Sequence, residues 1–138
     1  MRKKTIFFAG TAVCLLILAA AFYWYQKPRA GLMNTKPDYS MEAKELYTAF
    51  QQNEQKANSR FIEKVILVKG TVDDVQAADS TINILLSGSN GMGGVNCSVS
   101  KDNNTLPALP LKGTVIQIKG RCVGFLMDVN LTDAVIEK

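Results

Sequence analysis

Three cysteines, no histidine and scattered carboxylates are what this 138-residue chain offers to chemistry. Without histidine there is no Ser-His or Cys-His pair and no imidazole metal ligand. Asp73 and Asp74 are adjacent, and in an extended segment neighbouring side chains point to opposite faces, so the two read as solvated charges at a strand end. Asp128 follows a turn and is suited to ordering it. No two carboxylates stand at a spacing that general acid–base catalysis would use. No catalytic residue, no metal and no cofactor is therefore expected, and the chain does not read as an enzyme.

Cys97 and Cys122 remain. Each falls on the inward side of an alternating stretch, where a thiol serves as a small apolar residue. In an oxidising compartment the same two would be candidates for a disulfide, if their backbones approach closely enough. There is no C-x-x-C and no third soft ligand to make them a metal or redox site. Ser87 to Gly94 contains four glycines, and glycine-rich turns can present N–H groups to anions. No Lys-Ser or Lys-Thr follows, so a hairpin turn is the simpler reading. Met92 and Gly93 in this turn, with Phe125 and Leu126 in a later one, are candidate binding loops, because apolar residues in turns either fold over the body or contact a partner.

The elements that would position these residues follow from periodicity and charge. Ile6 to Tyr25 is 20 residues without a charge, about 30 Å as a helix, the thickness of a bilayer's hydrocarbon core. Arg2, Lys3 and Lys4 precede it, Tyr23, Trp24 and Tyr25 close it, and Lys27 and Arg29 follow. Residues 1–25 thus read as a basic cytoplasmic start and a single-pass transmembrane signal-anchor. The rest is expected outside the cytoplasm, in the periplasm of a bacterial inner membrane. Cleavage at Ala19-Ala20-Ala21 is the rival reading. Cys14 sits mid-run, which does not fit a lipid-bearing cysteine.

Of the 16 basic residues, six precede residue 40, where Asp38 is the only acid. From Ser40 onward ten basic residues face eleven acidic ones, a net of −1. That domain has no overall positive field for a polyanion.

Residues 26–39, with Pro28, Gly31 and Pro37, read as a linker. Ser40 reads as the cap of a helix carrying Leu46, Tyr47 and Phe50 on one face, and Asn53 as the cap of a second with Ala57 and Phe61. The helical segment spans 40–61, and the period then changes to two. Strands are expected over 64–75, 81–86, 95–100, 114–123 and 127–136. The pattern V-I-x-[VI]-K-G occurs twice, at 65–70 and 115–120. A glycine within a strand marks a bulge, a bend or a close approach. Lys69 and Lys119, at equivalent places, both read as solvent-facing.

Leu46-x-x-x-Phe50, Asn53-Glu54, Ala57-Asn58 and Lys64-Val65-Ile66-x-Val68-x-Gly70-x-Val72 form one set of landmarks. Met92-Gly93-Gly94-Val95-x-Cys97 and Lys119-Gly120-x-Cys122-x-Gly124-x-Leu126-x-Asp128-Val129-x-Leu131 form another. With these, residues 40–138 resemble the tRNA_anti-like family of OB-fold proteins, membrane-attached proteins of Bacteroidetes-type bacteria. The resemblance implies a mainly β fold: a five-stranded OB-fold Greek-key barrel behind the transmembrane helix and the short helical segment. It implies a membrane-attached location and carries no established activity.

The expected function is a membrane-anchored, extracytoplasmic binding module. Its partners would be the bilayer, through residues 6–25, and an envelope protein or small ligand. Nucleic-acid binding is the alternative. The strands over 81–86 and 95–100 argue against it, offering Thr81, Asn83, Leu85, Asn96, Ser98 and Ser100 outward but no aromatic residue on which a base could stack.

Overall fold

A computed structural model describes residues 2–26, 32–89, 91–101 and 108–137, with the side chains of 2–7 and 25–26 outside the description. The chain forms two compact units, Met1–Ala30 and Gly31–Lys138. Helix α1, Arg2–Gln26, makes up the first. Its side chains over 8–24 are exposed all round, Cys14 among them as a free thiol.

The helix expected over 6–25 is present within α1. Among the described residues no helix is long and apolar enough to cross a membrane. The flanking side chains of Arg2, Lys3, Lys4, Lys27 and Arg29 lie outside the described residues.

The second unit is a small barrel. Its strands are β1 (Tyr39–Glu42), β2 (Val65–Ala77), β3 (Thr81–Ser87), β4 (Gly94–Ser100), β5 (Val115–Phe125) and β6 (Val129–Glu137). The sheet order is β1-β2-β3-β4-β6-β5, with β5 returning to pair with β2. Five strands therefore close on themselves, β4 and β6 running parallel and the other barrel pairs antiparallel. This is the Greek-key order of an OB fold. Ile66, Val68, Ile84, Leu86, Val95, Val99, Ile118 and Leu131 fill the interior from alternating positions.

The twice-occurring pattern closes the barrel by pairing with itself. Val68 lies opposite Ile118, Ile66 opposite Gly120, and Gly70 opposite Ile116, so each copy sets its glycine against the other copy's isoleucine. A Cβ on Gly120 would stand 2.9 Å from the Leu131 Cβ, and one on Gly70 would stand 2.8 Å from the Ala43 Cβ. Both glycines are sites of close approach, as a glycine inside a strand implies.

The two lysines of the pattern have different fates. Lys69 is exposed. Lys119, expected to face solvent, is only 5% exposed. A 3-10 turn, Leu32–Asn34, covers it: the Lys119 ammonium donates to the Met33 carbonyl at 3.0 Å and pairs with the Glu137 carboxylate at 2.5 Å. Leu32 of the same turn is buried with Val65 and Val135. Nothing local in the sequence distinguishes the two lysines; the turn that covers one of them lies about 85 residues away.

Ser40, expected to cap a helix, instead lies in β1, which pairs in parallel with residues 66–69 of β2. Asp38 locks this pairing, its N–H donating to the Val65 carbonyl at 2.7 Å while its carboxylate accepts the Val65 N–H at 2.9 Å. β3 pairs only with the later part of β2, so the N-terminal half needs another partner for its backbone groups, and β1 supplies it.

Helix α2 (Ala43–Gln52) then starts with Glu42 at its cap, without a side-chain bond. Helix α3 (Glu54–Phe61) is capped as expected, the Asn53 carboxamide accepting from the Lys56 N–H at 2.9 Å. Leu46, Tyr47, Phe50, Ala57 and Phe61 are buried in the core, as their spacing predicted.

Candidate functional site

Two turns meet at one end of the barrel because β4 and β6 are parallel neighbours and each follows a turn. Asp128 ties the turns together: its carboxylate accepts the Gly94 N–H at 2.8 Å. Gly93 fits between them with no room for a side chain. A Cβ there would lie 2.6 Å from the Tyr47 hydroxyl and 3.0 Å from the Met127 carbonyl. Met92, Leu126 and Met127 are left 82%, 85% and 78% exposed at this end. Asn90, in the same glycine-rich turn, lies outside the described residues.

Of the four candidate loop residues, Met92, Gly93 and Leu126 are brought together here. Phe125 is half-buried and packs against the core. It is the last residue of β5, stacks on Phe50 with ring centroids 5.5 Å apart, and meets Tyr47 edge-on at 6.0 Å. Burying that aromatic surface over the barrel end outweighs leaving it in water.

Beside Asp128, the outer face of β2, β3 and β4 forms a groove of about 140 Å³ lined by Asp74, Gln76, Asn83, Leu85, Asn96 and Asp128. The register explains it. Asp74, Leu85, Asn96 and Asn130 form one row across four strands, and Gln76, Asn83 and Ser98 the next. The side chains hold one another: the Ser98 hydroxyl donates to the Asn83 carboxamide oxygen at 2.6 Å, Asn96 donates to Asn130 at 3.4 Å, and Gln76 donates to Asp74 at 3.0 Å. These bonds leave amide and carboxylate groups free toward solvent. Among the described residues, no lysine, arginine or aromatic side chain lines the groove.

Alternation marked Asn83, Leu85, Asn96 and Ser98 as outward. It did not bring in Asp74, because a bulge between Val72 and Asp74 shifts the register there. Asp73 is the extra residue, and its carboxylate lies 3.6 Å from the Lys112 ammonium. Both carboxylates reach solvent, as expected of charges late in a strand.

Cys97 and Cys122 are both buried and both free. Each is the register partner of Leu131, Cys97 from β4 and Cys122 from β5. A whole strand therefore separates them, placing their backbones about 9–10 Å apart, beyond the roughly 4.4–6.8 Å that a disulfide allows. Burial raises both thiols above their ordinary value, Cys122 to about 11. For Cys122 the Gly124 backbone lowers the value in part and the Glu63 carboxylate raises it further. Neither is a nucleophile at neutral pH. Among the described residues, no three cysteine or carboxylate side chains group to hold a metal ion.

Compared with known proteins, the sequence matches the tRNA_anti-like family over residues 1–135. The chain belongs to the tRNA_anti-like family. The match begins ahead of the barrel and takes in α1. A crystal structure of a protein from Klebsiella pneumoniae subsp. pneumoniae MGH 78578, named a "putative nucleic acid-binding lipoprotein", is similar to it with a TM-score of 0.61. The two are 17% identical, and the likeness covers 72% of this tRNA_anti-like chain and 91% of that one. At that identity the likeness is one of fold. No curated protein matches the sequence.

Proposed function

We propose that this chain is a membrane-anchored, extracytoplasmic OB-fold module that binds an envelope protein or small polar ligand and performs no catalysis. The groove on the outer face of β2, β3 and β4 carries the proposal, because it is a preformed concavity of cross-braced amides and carboxylates beside an exposed apolar rim. Such a surface orients a ligand by hydrogen bonds, and the apolar tips add contact area. It holds no activated nucleophile and no acid–base pair. The anchor rests on the uncharged run Ile6–Tyr25 within the 25-residue α1, and the orientation on Arg2, Lys3 and Lys4 ahead of it.

A photo-crosslinking residue at Leu85 or Leu126, in the full chain in its own membrane, tests the reading. Adducts at these two positions, lost when Asn96→Arg fills the groove, are expected. Equal adducts at the distant exposed Val115, or no effect of Asn96→Arg, would refute the site. A reporter fused after Lys138 tests the compartment; activity on the cytoplasmic side would reverse the topology.

Nucleic-acid binding is the second reading, favoured by the name of the Klebsiella neighbour and by the family's likeness to nucleic-acid-binding OB folds. The absence of cations and rings from the groove lining weighs against it. Salt-sensitive, micromolar binding of labelled single strands, measured by anisotropy, would favour it over the first.

A further inference from the structure

The cleft between α2 and α3 differs in chemistry from the barrel groove. It encloses about 310 Å³, and among the described residues its charged lining is Lys56 and Arg60, with no carboxylate. The two cations are four residues apart on α3 and so share a face. Neither takes part in an ion pair among the described residues. Gln52 and Asn53 add amides, while Ala57 and the Phe61 ring form an apolar wall.

Arg60 is held in place. Its guanidinium lies 5.3 Å from the centre of the Tyr39 ring and 5.1 Å from that of Phe61, and the two rings meet edge-on at 5.2 Å. A guanidinium seated on two rings keeps its planar fork of donors free, with part of the ordering cost of binding already met. β1 is what brings Tyr39 there, so the strand missed from sequence also builds this cleft. Glu42, Lys44 and Glu45 line an adjoining depression along α2, outside this cleft.

We infer that the α2–α3 cleft binds a small phosphoryl-bearing anion whose apolar substituent lies against Ala57 and Phe61. The Arg60 fork pairs with two phosphoryl oxygens, and Lys56 supplies a second, adaptable charge. A soluble phosphate ester and a phospholipid headgroup share this chemistry. The site is separate from the barrel groove, so either can fail without the other.

The test uses the full ¹⁵N-labelled chain in neutral detergent micelles. Phenyl phosphate is expected to shift the amide signals of Gln52, Asn53, Lys56, Ala57 and Arg60 saturably, and phenol is expected to leave them in place. Lys56→Gln with Arg60→Gln should weaken binding at least tenfold, and Arg60→Lys should fall between, since it keeps the charge and loses the fork. Doping the micelles with phosphatidylglycerol separates the sources: saturation at a lower concentration than phenyl phosphate assigns a lipid headgroup, and the reverse assigns a soluble ester. Equal shifts with phenol, or unchanged affinity in the double variant, would overturn the inference. So would an octathymidylate that shifts these signals where phenyl phosphate does not, which would assign the cleft to nucleic acid.

Discussion

Replacing Lys119 by methionine should destabilise the barrel far more than the same change at Lys69, although both sit in the same six-residue pattern. The Lys119 ammonium, almost fully buried, makes a charge-assisted hydrogen bond to the Met33 carbonyl and an ion pair with Glu137. Hydrogen bonds to charged groups are worth about 1.5–3 kcal/mol, and removing one partner of a fully buried pair costs about 3–5 kcal/mol. The Glu137 side chain is 35% exposed, so water screens it and takes up part of the loss. The expected cost is therefore about 1.5–3 kcal/mol for Lys119→Met, against less than about 0.5 kcal/mol for Lys69→Met on the exposed surface.

A urea titration of the full chain in neutral detergent, followed by the methyl signals of Ile118 and Leu131, reads the barrel directly. Loss of the lysine should also release the 3-10 turn, so the Leu32 methyl signals should move to their unfolded positions before global unfolding. Glu137→Gln alone and with Lys119→Met completes a double-mutant cycle, in which coupling of about 1 kcal/mol or more is expected. If the two lysine variants unfold at the same urea concentration, or if Leu32 stays docked without Lys119, the strap formed by residues 32–34 does not depend on that side chain and the reasoning fails.

Four further outcomes follow from the structure. Gly120→Ala should cost about 1–3 kcal/mol, because its Cβ would meet the Leu131 Cβ at 2.9 Å, whereas Gly10→Ala, with open space around it, should leave stability unchanged in the same titration. Phe125→Asp should unfold or loosen the barrel end by roughly 2–4 kcal/mol, since it places a carboxylate against the Phe50 ring, while Leu126→Asp should be close to neutral in stability, as checked by thermal melts of both.

Thiol alkylation at pH 8 followed by intact mass should leave Cys97 and Cys122 unlabelled in the folded chain and label all three cysteines in denaturant, with no disulfide to reduce first. Cys122 has its value raised from 9.0 to about 11 by folding, so the neutral thiol is the folded form. Its contribution is full below pH 9 and is lost as pH rises toward 11, because the unfolded chain deprotonates first. Cys122→Ser should flatten that decline.

Much of the barrel was legible in the sequence. The five period-two runs became β2 to β6 with ends displaced by at most two residues, because alternation of large apolar and polar residues is a local property that a half-buried strand must satisfy. Leu46, Tyr47, Phe50, Ala57 and Phe61 were legible for the same reason at helical spacing. The candidate site was only partly so. Asn83 and Asn96 could be placed outward, yet the groove they line includes Asp74, displaced by a bulge, and Asp128, drawn in by a hydrogen bond to Gly94. Bulges follow from how strands curve around a closed barrel, which no single strand records. β1 was missed because Ser40 and Glu42 suit a helix start locally, and only the edge of β2 that β3 leaves open gives them a better use.

The two copies of V-I-x-[VI]-K-G separate these levels. The sequence by itself determined that each copy is a strand with a glycine where backbone must approach closely, since β-branched residues followed by Lys-Gly carry that information locally. Only the tertiary structure decided that the copies pair with each other, with each glycine facing the other's isoleucine, and that Lys119 is buried while Lys69 remains in water. In the same way it placed Leu131 between Cys97 and Cys122 and folded Phe125 onto Phe50. Each of these outcomes depends on which segment arrives from far along the chain to cover a given face, and a short stretch of sequence cannot specify its own distant neighbour.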